Sequence, residues 1–217
     1  MTIEIYVFPP SPRAFKAMAV ANHLGLDWTP RLLDLTKGDQ KAPQYAALNP
    51  NMRMPTLRDG DYVLWEANAI IQYLASKRPE SGLMPKDERG RIDVTRWQFW
   101  DLAHWEPACL NFLREYVVKP FIFKSGEPDL EAVAKGNDVF HRVAKVLDDQ
   151  LGNRKFVTGD TLTLADFSLG APLKYAEMAH LPLAPYKEIR RWHSALSAMA
   201  AWQKTVTQSA LPASAAA

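Results

Sequence analysis

The fold is decided by the stretch from Asn49 to Leu74, which reads NPNMRMPTLRDGDYVLWEANAIIQYL. It opens with the turn residues Asn49-Pro50-Asn51, and Asp59-Gly60 forms a second turn signal. One strand candidate lies around Thr56 and Leu57, before the second turn, and another runs from Tyr62 to Trp65, after it. The stretch therefore predicts two strands joined by a tight turn.

A helix is predicted directly after this pair of strands. Its apolar residues follow the i, i+3, i+4, i+7 spacing of a helix with one buried face, at Ala67, Ile70, Ile71 and Leu74. Strand, turn, strand and helix thus fit within one short segment, which is a ββα unit.

Two residues in this segment are suited to binding a peptide. Proline cannot donate to a sheet, and a cis bond at Met54-Pro55 would leave the Met54 amide and carbonyl free to pair with an extended ligand. Glu66 stands where the helix begins, so a carboxylate that attracts an ammonium lies beside backbone N–H groups that attract a carboxylate. A ligand ending in an α-amino acid would satisfy both groups.

The preceding part of the chain predicts a βαβ unit. Ile3 to Phe8 alternates apolar and polar residues as a strand does, and Trp28 to Leu33 is a second strand candidate. Between them, Ser11 is a favoured helix N-cap and Pro12 a favoured first helical residue of a helix that ends near Gly25. A βαβ unit normally has parallel strands, and βαβ followed by ββα is the thioredoxin-like arrangement.

The domain boundary is predicted from a composition shift. Residues 36–48 are a polar loop with a short helical turn, and residues 79–87 are rich in residues that interrupt regular structure, so they mark a linker. We therefore expect a thioredoxin-like domain at 1–78 and an all-α domain at 88–217, with a disordered tail from about 209.

Three features support the all-α assignment. The pattern from Arg91 to Val118 is apolar on several sides and should kink at Pro107, and Leu130 to Leu151 is an ordinary amphipathic helix. Thr163, with an acid at Asp166, predicts a helix N-cap of structural importance. Short helices are expected at 186–197 and 201–205.

Composition excludes several classes of protein. The 26 Lys+Arg residues nearly balance the 24 Asp+Glu residues, giving a net charge of +2 without a basic run, which disfavours a nucleic-acid partner. One cysteine, Cys109, excludes an internal disulfide, and the five histidines are too scattered for a metal motif. These cysteine and histidine counts favour a metal-free protein of the reducing cytoplasm. No leader or membrane-spanning segment is apparent in the sequence.

The segment MPTLRDGDYVLWEANAI resembles the glutathione-binding segment of the cytosolic glutathione transferases, in which a cis-proline strand precedes a turn, a strand and a Glu-Ser pair. The resemblance extends from Ile3 to about Lys204 and is closest to the serine-type members of the phi and theta-like bacterial groups. It independently implies the thioredoxin-like domain, the helical domain and glutathione as co-substrate.

The resemblance also implies roles for individual residues. Ser11 would stabilise the glutathione thiolate, although from the residues alone a simple helix N-cap is the favoured interpretation. Tyr6 is a competing hydroxyl, but it lies within a strand and is interpreted as structural. Glu66 would bind the γ-glutamyl ammonium and the backbone of Met54, before Pro55, the cysteinyl unit. Gln40 and Lys41 would face the glycyl carboxylate, and Arg53 stands at a position often taken by glutamine or lysine. Ala67 departs from the family's serine, which weakens the expected binding.

The electrophile is expected to bind between the domains in an apolar pocket. Its predicted residues are Pro12, Trp100, His104, Trp105, Phe112 and Tyr116. Plain core packing is the alternative for each aromatic residue, and Cys109 is interpreted as a core thiol.

These observations predict a homodimeric glutathione transferase that activates the thiol for attack on hydrophobic electrophiles. Glutathione-dependent peroxide reduction would use the same site. A non-catalytic binding protein with the transferase fold is the alternative from a different class, and Ala67 favours it slightly, whereas Ser11 and Glu66 oppose it.

Overall fold

The computed structural model describes residues 2–209, which form two compact units. The first unit contains residues 2–81 together with 199–209, and the second contains residues 82–198. The predicted first domain ends at 78 and the predicted second domain begins at 88. The main difference is that residues 199–209, which were assigned to the second domain, belong to the first unit. The expected disordered tail lies outside the described residues from 210 onward.

The first unit contains a four-stranded sheet in the order β2-β1-β3-β4. The strands are β1 (Ile3–Val7), β2 (Trp28–Leu32), β3 (Thr56–Asp59) and β4 (Tyr62–Trp65). β1 pairs with β2 in parallel, and the β1–β3 and β3–β4 pairs are antiparallel. The βαβ–ββα thioredoxin-like prediction is confirmed.

Three α-helices accompany these strands. They are α1 (Pro12–His23), the short α2 (Pro43–Ala46) and α3 (Ala67–Ser76), with a 3-10 turn at Asp39–Lys41 ahead of α2. α1 begins where Ser11 and Pro12 predict it, and the buried side chains of α3 include the predicted apolar set. The core of this unit is built from side chains with 0% exposure, among them Ile5, Val7, Phe15, Leu57, Ile70, Ile71 and Leu74.

The last helix, α9 (Ala200–Gln208), belongs to this first unit, where it packs on α1. The Trp202 ring lies 4.7 Å from the Phe15 ring in an edge arrangement, and the Asn22 side chain donates to the Thr205 hydroxyl at 2.8 Å. Sequence periodicity identifies the buried face of a terminal helix, but it does not identify the surface that this face covers.

The second unit begins with continuous helical structure from α4 to residue 123. α4 (Glu88–Trp100) leads into a π-helical segment at Asp101–Trp105, then α5 (Glu106–Leu113) and a second π segment at Arg114–Phe123. Pro107, the predicted kink site, is the second residue of α5. The wider hydrogen-bond spacing therefore comes directly before this proline, which has no N–H to donate.

The remaining helices of the second unit are α6 (Leu130–Leu151), α7 (Leu164–Gly170) and α8 (Lys187–Ser197), with a 3-10 segment at Ala171–Tyr175. α6 has the predicted bounds. The predicted cap of α7 is confirmed as a capping box, because Thr163 N–H donates to Asp166 at 2.8 Å. Asp166 also accepts from Val157 N–H and from the Trp192 indole, both at 2.9 Å, so this acid is structural. Within residues 2–209, no helix is both long and apolar enough to cross a lipid bilayer.

Candidate functional site: a cavity at the start of α3

A small cavity in the first unit brings together five of the predicted glutathione residues. Arg53, Met54, Pro55, Glu66 and Ala67 line it. These residues come from two places, the segment before β3 and the start of α3, which the hairpin of β3 and β4 brings side by side. Three residues that the sequence analysis did not assign to the site also line the cavity, namely Arg13, Asn49 and Asn51.

The segment before β3 has the predicted backbone. The Met54-Pro55 bond is cis. Because β3 begins at Thr56, which pairs with Tyr6 on one side and Trp65 on the other, Met54 lies outside the sheet ladder. Its amide and carbonyl can therefore pair with an extended ligand, as a neighbouring strand would.

Glu66 occupies the N-cap position of α3 in an unusual conformation. Its φ is 74° and its ψ 116°, a region that residues other than glycine seldom adopt. The Glu66 side chain is exposed and makes no capping hydrogen bond to its helix. Glu66 lines the cavity beside a helix start whose dipole attracts negative charge, which suits a ligand with an ammonium and a carboxylate on one carbon.

Ala67, the first residue of α3, is 3% exposed. A methyl group at this position cannot donate a hydrogen bond, so the ligand carboxylate would rely on backbone N–H groups and on nearby cations. Arg13 and Arg53 supply two cations among the residues that line the cavity.

Ser11 caps α1, as predicted. Its side-chain oxygen accepts from the Ala14 N–H at 3.4 Å, which is a long hydrogen bond. A hydroxyl that accepts through a lone pair still carries a proton to donate, so capping does not prevent Ser11 from donating to a thiolate. Ser11 precedes Arg13, which lines the cavity, by two residues.

The competing hydroxyl, Tyr6, lies elsewhere. Its side chain lines a separate cavity with Tyr45, and the two rings are 5.6 Å apart. Neither residue lines the cavity at the start of α3. Ser11 is not among the residues that line this cavity either, so the cavity lining does not distinguish the two hydroxyls.

Gln40 and Lys41 lie in the 3-10 turn at Asp39–Lys41 and do not line the cavity at the start of α3. Lys41 is exposed, and the Gln40 side-chain oxygen is buried without a hydrogen-bond partner among the described residues. Their assignment to the glycyl carboxylate stays a prediction.

Two residues predicted for the electrophile pocket pack in the core of the second unit. Trp105 is 0% exposed, and its indole donates to the Leu169 carbonyl at 2.8 Å. Phe112 is 3% exposed and packs against Phe140, with ring centroids 5.5 Å apart. The alternative of plain core packing therefore accounts for both residues.

The other predicted electrophile residues keep accessible surface. Trp100 is half-buried, with its ring 6.0 Å from the exposed His104 ring, and Tyr116 is half-buried with its ring 4.8 Å from His180. Pro12 is half-buried at the first position of α1.

Cys109 is a core residue, as interpreted from the sequence, with 0% exposure. Burial raises the pKa of the Cys109 thiol well above its ordinary value, and the charges of Asp101 and Glu106 raise it further. A thiol that keeps its proton is a poor nucleophile. Within residues 2–209, no group of three His, Cys, Asp or Glu side chains is placed to hold a metal ion.

Comparisons with known proteins identify the family of the chain. The family model for the glutathione S-transferase N-terminal domain matches residues 1–76, and that for the C-terminal domain matches residues 131–202. Glutathione S-transferase 3 of Zea mays is 33% identical over 217 residues, which cover 97% of this chain and 96% of the relative.

Two solved structures are also similar. Glutathione S-transferase III in its apo form has a TM-score of 0.85 and 32% identity, covering 98% of this chain and 99% of that one. Glutathione transferase URE2P6 from Phanerochaete chrysosporium, in complex with oxidised glutathione, has a TM-score of 0.83 and 27% identity, covering 96% of each chain. On these grounds, the chain belongs to the glutathione S-transferase family.

Proposed function

We propose that this transferase binds glutathione in the cavity at the start of α3 and that Ser11 stabilises the thiolate. The observation that carries the proposal is the meeting of the Glu66 carboxylate, the start of α3 and the Met54 backbone in one cavity. Glu66 would take the γ-glutamyl ammonium, the α3 N-terminus its carboxylate, and Met54 the cysteinyl backbone. The oxidised glutathione bound to URE2P6 supports the same ligand class.

Charge complementarity supports this ligand. Arg13 and Arg53 outnumber Glu66 among the charged residues that line the cavity, so its charged side chains sum to +1. Glutathione has two carboxylates and one ammonium, hence a net charge of −1 at neutral pH, and the thiolate adds another negative charge. An excess of cations favours both the ligand and its ionised form.

The chemistry depends on the ionised thiol. An ordinary thiol with a pKa of about 8.5 is only about 3% ionised at pH 7, and a lowering of about two units makes it mostly thiolate. The Ser11 hydroxyl would donate to the sulfur, and the N-terminus of α1 adds a favourable dipole. The thiolate then attacks an electrophilic carbon, a sulfur–carbon bond forms, and the leaving group departs with its electron pair.

The electrophile would be apolar. In the second unit, Trp100, His104 and Tyr116 keep accessible surface to contact it, whereas Trp105 and Phe112 are core residues and are not included. Holding both reactants near each other accounts for much of the rate, because it removes the entropic cost of their encounter.

A homodimer is also proposed, with α4 at its interface. Ile92 and Phe99 are 61% and 68% exposed, and both line a groove on α4 with Glu88, Arg91, Thr95 and Arg96. Large apolar side chains exposed along one helix face are typical of a surface that a partner covers. A reducing compartment such as the cytoplasm is proposed from the single buried Cys109.

Two measurements test the proposed activity. The protein should be retained on immobilised glutathione, and it should conjugate glutathione to a generic aryl halide. Failure to bind glutathione would refute the proposal. Retention without turnover of an aryl halide or a peroxide would instead make the protein a binding module, and peroxide reduction alone would make it a peroxidase.

A further inference from the structure

The segment from Arg53 to Thr56, which carries Met54 at its centre, is held at both ends by two buried side chains. The Tyr45 hydroxyl donates to the Arg53 carbonyl and lies 2.8 Å from the Thr56 hydroxyl. The Asn49 side-chain amide donates to the same two groups, at 2.8 Å to Arg53 and 3.1 Å to Thr56.

Every proton in this network has an acceptor. The two Asn49 amide protons go to the Arg53 carbonyl and to the Thr56 hydroxyl, which in turn donates to Tyr45, and Tyr45 donates to Arg53. Both lone pairs of the Arg53 carbonyl are thus used. Tyr45, Asn49 and Thr56 are 4%, 2% and 0% exposed, so these three side chains are shielded from water, whereas Arg53 itself is exposed. Burial also raises the pKa of Tyr45, which keeps its hydroxyl protonated.

The Arg53 carbonyl belongs to the same peptide unit as the Met54 N–H. The Arg53–Met54 peptide bond is trans. In a trans peptide the C=O and the N–H point in opposite directions. Fixing the carbonyl towards the Tyr45 hydroxyl therefore aims the Met54 N–H away from Tyr45. Met54 and Asn49 both line the cavity at the start of α3, whereas Tyr45 lines a separate one.

We infer that Tyr45 is a positioning residue for glutathione: it orients the Arg53–Met54 peptide so that the Met54 N–H meets the cysteinyl unit. The inference rests on the proposed glutathione site and adds a residue that does not itself touch the ligand. Tyr45 acts from the opposite end of the peptide unit, and Asn49 shares the task.

The test is Tyr45→Phe, which keeps the buried ring and removes only the hydroxyl. The KM for glutathione should rise about tenfold, equivalent to about 1.4 kcal/mol of binding. The kcat at saturating glutathione, the KM for the aryl halide and the pKa of the bound thiol should not change, because Ser11 and the electrophile contacts are untouched. A merely structural loss would lower the active fraction and leave both KM values unaltered.

Tyr6→Phe is the matched control. The Tyr6 ring lies 5.6 Å from Tyr45 and lines the same cavity, but its hydroxyl is outside the network. Its glutathione KM should equal that of the wild type. Thr56→Val is a second variant that breaks the link to Tyr45 and spares the Arg53 carbonyl bonds, so it should raise the glutathione KM less than Tyr45→Phe does.

The outcomes separate this inference from the proposed function. A wild-type protein without affinity for glutathione overturns both. A wild type that binds, together with a Tyr45→Phe variant whose glutathione KM is within twofold of it, overturns the role of Tyr45 alone. An equal rise in the Tyr6→Phe control overturns it as well, because the effect would then belong to the aromatic pair.

Discussion

Replacing Ser11 by alanine separates its capping role from its proposed catalytic role. The cap bond to Ala14 is long, at 3.4 Å, so its loss should cost about 0.5 kcal/mol of stability, the low end of the usual range. A hydrogen bond to a charged sulfur contributes about 1.5 to 3 kcal/mol. At 1.36 kcal/mol per pKa unit, its loss should raise the pKa of the bound thiol by about one to two units.

The sign and size of the kinetic effect follow from this shift. Ser11 would donate to the charged form, so removing it favours the protonated thiol and raises the pKa. If the wild-type pKa is about 6.5, the thiolate fraction at pH 7 falls from about three quarters to between about a quarter and about 3%. We therefore expect the conjugation rate at pH 7 to fall by about 3- to 25-fold and to recover at high pH.

The assay is the ultraviolet absorbance of the bound thiolate against pH, combined with a pH profile of aryl halide conjugation. Two further variants give matched controls. Ser11→Thr keeps both the cap and the hydroxyl donor and should behave as wild type. Ser11→Asp is an equally good cap, but it cannot donate when ionised and should raise the thiol pKa further. A Ser11→Ala variant with the wild-type thiol pKa and rate would leave Ser11 only a helix cap.

Four other predictions test the site, the interface and the half-buried His193. Glu66→Gln should raise the glutathione Kd more than tenfold in calorimetry while the melting temperature stays nearly constant; an unaltered Kd would remove Glu66 from the site. Ala67→Ser restores a donor to the ligand carboxylate and should tighten binding by up to about tenfold, or about 1.4 kcal/mol, whereas equal or weaker binding contradicts the proposed orientation. Burial lowers the pKa of His193 to about 4, so the folded protein keeps this ring neutral while the unfolded chain takes up a proton below about pH 6.5. The free energy of unfolding should then fall by at most about 2 kcal/mol between pH 7.5 and 5, and less in His193→Gln; an identical fall in the variant would contradict this assignment. Phe99→Glu should convert a dimer to a 24.5 kDa species in light scattering, and an unchanged mass would exclude this face of α4.

The elements near the site were predictable because their signals are local. Ser11-Pro12 and Asp59-Gly60 determine a helix start and a turn within a few residues, and the spacing of the apolar residues in α3 identifies its buried face. Met54-Pro55 and Glu66 lie within this segment, so their meeting follows from the hairpin that joins β3 to β4.

The other site residues depend on the path of the chain through space. Arg13 lines the cavity although no spacing in α1 distinguishes it, and whether Gln40 and Lys41 reach a ligand depends on a loop with little periodicity. Trp105 and Phe112 were ambiguous because the helical region that contains them is apolar on several sides. Such a pattern does not tell a core residue from a pocket residue.

The packing of α9 on α1 has a consequence for biosynthesis. Phe15 of α1 packs against Trp202 of α9. The apolar face of α1, which is synthesised early, is therefore covered only after α9 has left the ribosome. A nascent chain that ends before Trp202 would expose the apolar surface of α1 and should depend on chaperones to avoid aggregation. The thioredoxin-like unit, although it begins the chain, is therefore finished only when translation is nearly over, and a fragment cut after residue 81 should fold poorly by itself.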